Sequence, residues 1–577
     1  MFSLITRLQL LPIRGLVLII LVIVFAPAPQ AVSAQQKHLP AGNNSSTAQT
    51  GTNHAADLGE AARLLQAGKL LEAETLLRAV IARTPHDSNA HTLLGGSLDQ
   101  RGQTSEAEAA YREALRLQPK NTSALSNLAV LLAHTRRLPQ AIETFEAVLR
   151  LEPGQPRAVF NLGTLYSAQG DYQKAVPLLE QAAGWPNKPG SAGTADIALL
   201  STLLNAYAHA GRARDASAVA DSVEQMAGDD PRKLFTLALS LADGREYERA
   251  TRVFERVNTL RPQTFEVLYN LGIALYNLDR FDDATKVLTE ANKVAPNEPE
   301  PLYRLGLIAS VRGDSQAAAN YWTKALELRP NFAEANFMLG EELLKARQPE
   351  RSLPFYEQAV AQDSAKLLYF VRLGVANFRA QRYGRAREVF NLGLTKFPEN
   401  ANLYFLLGYV ARAEGQYDDA VVAFRRALQT QPDNPDLLEN LGYIASQRGE
   451  NVEAERLLRR AIALDPNAFP AHHDLGRLLV KLKKYDEALP VLQKGAALNQ
   501  KDPGVHYQLF LAFSRLRRKP EADRELAAFK ELDEANRHSA TALGMATKTG
   551  SAAEAEALPP IPSALAGEAK KPDAPKN

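Results

Sequence analysis

The stretch from Phe265 to Glu298, FEVLYNLGIALYNLDRFDDATKVLTEANKVAPNE, recurs along most of the chain with a period of 34 residues. Within it, Leu268, Leu271, Leu275 and Leu278 follow the three-to-four spacing that lines one face of a helix. Leu278-Asp279-Arg280 turns the chain, and a second helix carries Phe281, Ala284, Val287, Leu288 and Ala291 on its inner side. Pro296 and Asn297 close the unit, the proline because it cannot continue a helix and the asparagine as cap of the next one. With Phe265 as position 1, fourteen repeats begin at residues 54, 88, 122, 156, 197, 231, 265, 299, 333, 367, 401, 435, 469 and 503. Position 7 is Leu in thirteen of them, position 20 Ala in thirteen, position 8 Gly in nine and position 32 Pro in nine. This regularity overrides the several domains that length alone suggests, because a repeat array is quasi-one-dimensional.

The small residues have a physical reading. A glycine inside a helix costs about 1 kcal/mol relative to alanine, so nine at one position require an offsetting gain. Close approach of two helix backbones supplies it, with Gly272 expected to face Ala284 and Ala291. The order of leucine, glycine, alanine, aromatic and proline, clearest in Tyr404, Leu407, Gly408, Ala420, Phe424, Ala427 and Pro432, resembles the tetratricopeptide repeat. That resemblance implies an all-α fold, a right-handed α-solenoid (superhelix) of stacked antiparallel helix pairs whose first helices line a concave groove.

Residues 1–34 read as an export signal. Arg7 and Arg14 precede the apolar run Leu16 to Ala26, and Val32-Ser33-Ala34 offers small residues for cleavage. The alternative is an uncleaved anchor through residues 7–27, tethering the protein to the inner membrane. Both readings place the repeats across a membrane, in the periplasm or outside the cell. A polar linker is expected over 35–53, repeats one to four over 54–189, a loop insertion at 190–196, repeats five to fourteen over 197–536, and a disordered Ala/Pro-rich tail over 537–577. Trp185, at the edge of the insertion, is a candidate anchor of a docking loop. Glu60 replaces the position-7 leucine of the first repeat, as suits a capping repeat whose outer face meets water.

Composition excludes several functions. The chain has no cysteine, hence no disulfide, no thiolate-bound zinc and no lipid-modified N-terminal cysteine. Its 67 basic and 65 acidic residues leave no surplus of positive charge for a phosphate backbone, so nucleic acid is not an expected partner. HExxH, GxSxG, GxxxxGK[ST] and GxGxxG are all missing, and no cofactor or metal is expected. In His472-His473-Asp474, adjacent helical residues point about 100° apart, which argues against a compact ligand set. The aspartates and glutamates are expected on solvent faces, where charge is the default.

By the resemblance, positions 2, 5, 6, 9, 12 and 13 face the groove. Position 5 is aromatic at Phe160, Phe235, Tyr269, Tyr303, Phe337, Phe405 and Tyr507, with the run from Phe235 to Phe337 as the candidate binding ribbon; position 6 holds Asn127, Asn161, Asn270, Arg304, Arg372 and Asn440. Aromatic rings give contact area at low entropic cost, and Asn and Arg can bond a peptide backbone or carboxylate. The asparagines resemble the inner ladder in the repeat domain of O-linked N-acetylglucosamine transferases, but Thr236, Arg304, Met338 and Leu406 interrupt them, and no glycosyltransferase domain follows. The carboxylate clamp of chaperone-binding tetratricopeptide domains is missing, since no position 5 is Lys or Arg. The expectation is a non-enzymatic scaffold or assembly factor holding protein or peptide partners. The alternatives are an accessory subunit of envelope polysaccharide or glycoprotein export, with carbohydrate stacking on Tyr269 or Tyr303, and, more remotely, an enzyme.

Overall fold

The computed structural model describes residues 47–186 and 196–542. Among these the chain forms 28 helices and no strand, in consecutive antiparallel pairs that make an all-α solenoid. Two units divide the chain after Ala295, and each contains seven of the helix pairs. The first runs from the helix Thr47–Gln66 to Phe281–Val294, the second from Pro299–Val311 to Lys519–Ala542. Within each unit a second helix packs against its own first helix and against the first helix of the following repeat. From Ser88 onward every first helix begins at position 1 of the sequence frame.

The position-8 glycines make room for a side chain rather than for a backbone. A Cβ on Gly272 would lie 2.6 Å from Leu288, and one on Gly163 would lie 3.0 Å from Leu179. The same is true of the glycines at 95, 306, 340, 374, 408, 442 and 476, each filled by the residue sixteen positions later: Tyr111, Trp322, Tyr356, Phe390, Phe424, Leu458 and Leu492. The expectation that Gly272 faces Ala284 and Ala291 is therefore corrected. The missing Cβ admits the large position-24 side chain, whose burial offsets the intrinsic cost of glycine. The alanines act one step away: at position 20 all of them, and Ser352, are at most 4% exposed, where a longer side chain would push the paired helices apart.

Each pair turns through one residue in left-handed conformation. Position 15 has φ between 56° and 80° in all fourteen repeats. Glycine occupies it in half of them, and Arg136, Arg245, Asp279, Arg347, Gln381, Lys483 and Arg517 in the rest. This is the residue just past the helix end, where a left-handed turn lets backbone amides reach the last carbonyls, as when Arg280 N donates to Leu275 O at 3.0 Å.

At the start of the next repeat, Asn434 accepts from the amides of Asp436 and Leu437, and Asn400 from that of Leu403. Asn297 does not cap in this way: Glu298 is the last residue before the helix Pro299–Val311, and it makes no side-chain cap bond.

The helix that opens the first repeat begins at Thr47, inside the segment expected as linker. Extending a helix already held by packing costs far less than starting one, and Thr47 to Asn53 continue it. Glu60 is exposed and pairs with Arg63 at 3.1 Å. The last helix reaches Ala542, past the expected boundary at 537. The export signal, most of the insertion at 190–196 and the tail beyond 542 lie outside the described residues. Among the described residues, no helix is long and apolar enough to cross a membrane.

Candidate functional site

The position-5 rings pack largely within the helix layers. In the first unit Phe235 is half-buried, edge-on to Phe254 at 5.9 Å, and Tyr269 stacks on Phe265 at 5.8 Å. In the second, Tyr303 lies 5.1 Å from Phe332, Phe337 sits between Tyr356 and Tyr369, and Phe405 contacts Tyr409 and Phe424. None of Tyr269, Tyr303, Phe337 or Phe405 exposes more than 8% of its surface. Asn270 donates to the Glu266 carbonyl of its own helix at 2.7 Å. Arg304 lies over the Tyr303 ring. Trp185 is half-buried, following Gly184, which ends the helix Tyr172–Ala183.

What the first-helix face of the second unit does present is charge. Three helices, Ala401–Ala413, Pro435–Gln447 and Phe469–Lys481, bring together Arg412, Glu439, Asn440, Tyr443, Asp474 and Arg477. Arg412 donates to Asn440 Oδ1 at 2.5 Å and lies 3.6 Å from Glu439. Asn440 in turn donates to Glu439 Oε2 at 2.8 Å and to the Asp436 carbonyl. Arg477 is 3.0 Å from Asp474, and His473 is 3.6 Å from it. The guanidiniums of Arg412 and Arg477 lie 4.5 and 5.2 Å from the centre of the Tyr443 ring. Such stacking suits arginine, whose flat and weakly hydrated head tolerates burial better than an ammonium.

Burying two carboxylates side by side is costly unless one of them is neutral. Burial, reinforced by Asp474, pushes the Glu439 carboxyl well above the usual range. Burial also opposes the charge on Asp474, yet the hydrogen bond from His473 and the charge of Arg477 hold it below that range. Of the two, Glu439 is therefore the carboxyl that holds its proton to the higher pH. The seam gathers two carboxyls, an amide and two guanidiniums around one aromatic ring.

A second cluster surrounds Glu341. Its Oε1 accepts from Tyr356 Oη at 2.5 Å and faces Arg372 Nε at 3.2 Å. Burial first, and Glu341 after it, push the Tyr356 hydroxyl well above the ordinary tyrosine value.

Of the residues singled out by sequence, the structure brings Asn440 into the seam and Arg372 into the Glu341 cluster, while the position-5 aromatics pack against rings of their own or the following repeat. Glu439, Asp474, Arg412, Arg477, Tyr443 and Glu341 were missed. The expectation of solvent-facing acids fails for Glu341, Glu342, Glu439 and Asp474, all of which are buried. A signal was present: an acid at position 5 or 6 of one repeat with an arginine at position 12 of the repeat before, as in Arg412 and Glu439, places opposite charges on facing helix surfaces. His472 is buried and bonds the Ala468 carbonyl at 3.0 Å, and among the described residues no group of three or more potential metal ligands converges.

Comparison with known proteins agrees with the geometry. A family model described as tetratricopeptide repeat matches residues 58–122, 97–156, 127–192, 235–299, 303–366 and 337–401, and a second of the same description matches 411–475 and 445–512. A search of curated proteins finds no match. Solved structures similar to this chain include the APC/C hetero-tetramer Cut9–Hcn1, at 12% identity over 81% of this chain and 98% of that one, with a TM-score of 0.33. Yeast Tom70 is similar at 16% identity over 78% and 96%, with a TM-score of 0.30. Naa15/Naa10 bound to HypK-THB is similar at 13% identity over 84% and 94%, with a TM-score of 0.32. With the helix pairs, the position-8 glycines and the two family models matched along more than half of the chain, the protein belongs to the tetratricopeptide repeat family.

Proposed function

We propose that the protein is a non-enzymatic scaffold that holds polypeptide partners on the first-helix face of its repeats. The observation that carries this reading is the seam of Arg412, Glu439, Asn440, Tyr443, Asp474 and Arg477. It combines donors, acceptors and a flat ring, the groups that bind peptide amides and charged side chains, on helices held rigidly by their neighbours. On the sequence reading of residues 1–34, the scaffold works beyond a membrane; fusing those residues to a compartment-sensitive reporter tests that part separately.

The test is photocross-linking in the native cell. Gln447 is exposed on the helix Pro435–Gln447 that carries Glu439, and Arg426 is exposed on a second helix. A photoreactive residue at Gln447 is expected to capture a discrete protein that the same residue at Arg426 does not. Equal capture from both, or none from either, would overturn the reading.

A further inference from the structure

Two buried or half-buried arginines of the second unit differ in their counter-charges. Arg412 is opposed by burial, yet Glu439 and its other neighbours hold its guanidinium above the ordinary arginine value. Arg379 has weaker support: burial, and next the charge of Arg372, push it below that value, and Tyr356 and Glu341 offset this only in part. Among the described residues Arg379 makes no hydrogen bond or ion pair, although it is only partly exposed. Arg372 and Arg379 are seven residues apart on the helix Leu367–Arg379, two turns along one face. Arg347, exposed in the turn of the preceding repeat, adds a third like charge.

A carboxylate that bears on both Arg372 and Arg379 is already engaged. Glu341 accepts from Tyr356 and faces Arg372. Its neighbour Glu342 is held by Lys345 at 2.7 Å and by Ser310 at 2.6 Å. The helix end beside Arg379 contributes only about half an elementary negative charge. The fold therefore holds more positive than negative charge on the face that carries the seam, with Glu341 as the acid that these arginines share.

Resting on the scaffold reading above, we infer that Arg372 and Arg379, with Arg347 beside them, form a receptor for a side-chain carboxylate, an aspartate or glutamate, of the polypeptide partner. The planar guanidinium presents paired donors that match a carboxylate in two-point contact, and the partial burial of Arg379 shields that contact from water and salt. The arriving acid adds a second counter-charge beside Glu341. An acidic segment of the partner would then run from this receptor toward the seam around Tyr443, where Arg412 and Arg477 are already paired.

The experiment uses the full chain and a fluorescein-labelled peptide alternating glutamate with serine, against the same peptide with glutamine in place of glutamate. Anisotropy is expected to detect the glutamate peptide preferentially. Arg379→Gln should weaken its binding about tenfold or more, Arg379→Lys, which keeps the charge but loses the two-point contact, by a smaller but measurable factor, and Arg385→Gln, an exposed arginine paired with Glu388, should leave it unchanged. The melting temperature of Arg379→Gln should equal or exceed that of the unaltered protein, because the substitution removes a charge that the fold disfavours. Equal binding of both peptides, unaltered binding by Arg379→Gln, or a fall in its melting temperature would overturn the inference. Cross-linking from Gln447 separates the two claims: a partner captured equally by the unaltered protein and by Arg379→Gln leaves the scaffold standing and removes the receptor.

Discussion

The indole Nε1 of Trp322 donates a 3.1 Å hydrogen bond to the carbonyl oxygen of Tyr303, reaching over the bare Cα of Gly306. A buried indole needs a partner for its N–H, and only a residue without a side chain at 306 lets the ring approach its neighbour's backbone. Gly306→Ala is expected to destabilise the second unit by about 1 to 3 kcal/mol through overpacking. Pairing it with Trp322→Leu should recover part of that loss, since a leucine fills the same position at Leu288. Denaturant unfolding of the single and double variants measures the coupling.

Arg136 adopts a φ of 60° at a position where seven of the fourteen repeats carry glycine. Arg136→Gly should stabilise the protein by up to about 1 kcal/mol, because the left-handed conformation costs a side chain roughly 1 to 2 kcal/mol and glycine returns part of this as chain entropy. Gly170→Ala, at the same position with a φ of 78°, should destabilise by a similar amount. Thermal melts of the two variants are expected to shift in opposite directions.

Glu439 governs a pH response of definite sign. Its pKa is raised in the folded protein, so the folded state holds an extra proton between the ordinary value of 4.5 and the raised one, and stability falls as pH rises through that window. Asp474, with a lowered pKa, works the other way: it contributes stability above the ordinary 3.8 that is lost as the solution is acidified. Glu439→Gln imitates the protonated carboxyl and should abolish the decline above about pH 4.5 while leaving the acid-side loss intact. Urea midpoints from pH 3 to 9 distinguish the variant from the unaltered protein.

Arg412 supplies the positive charge and the planar head that the seam is built around. Arg412→Ala should cost about 3 kcal/mol, because it leaves a buried acid pair without its counter-charge. Arg412→Lys should restore only part of this, since an ammonium cannot both stack on Tyr409 and Tyr443 and reach Asn440. Denaturation of the three proteins at pH 7 is the measurement.

The helix pairs were legible because their signal is periodic and local: the leucines at 268, 271 and 275 and the glycine at 272 repeat every 34 residues, and every repetition reinforces the same frame. The partner of that glycine was not, because two alanines and a leucine of the facing helix all sit at helical spacing. Only the rotation of one helix on the other selects Leu288. The left-handed turn was half-written, in glycine at seven repeats and concealed by arginine, aspartate, glutamine or lysine at the rest.

By itself the sequence determined the class of fold and the number of repeats, since both follow from spacing along a single chain, while the first helices as the face for a partner followed from the family resemblance. Tertiary structure alone decided which side chains on that face meet water and which meet each other. It turned Tyr269, Tyr303, Phe337 and Phe405 into packing, and it drew Glu439 and Asp474, 35 residues apart, into one buried acid pair. The physical reason is that charge and burial are properties of neighbours: an acid costs little in water and much beside another acid in a low dielectric, and a helix spacing does not say which environment the next repeat will supply.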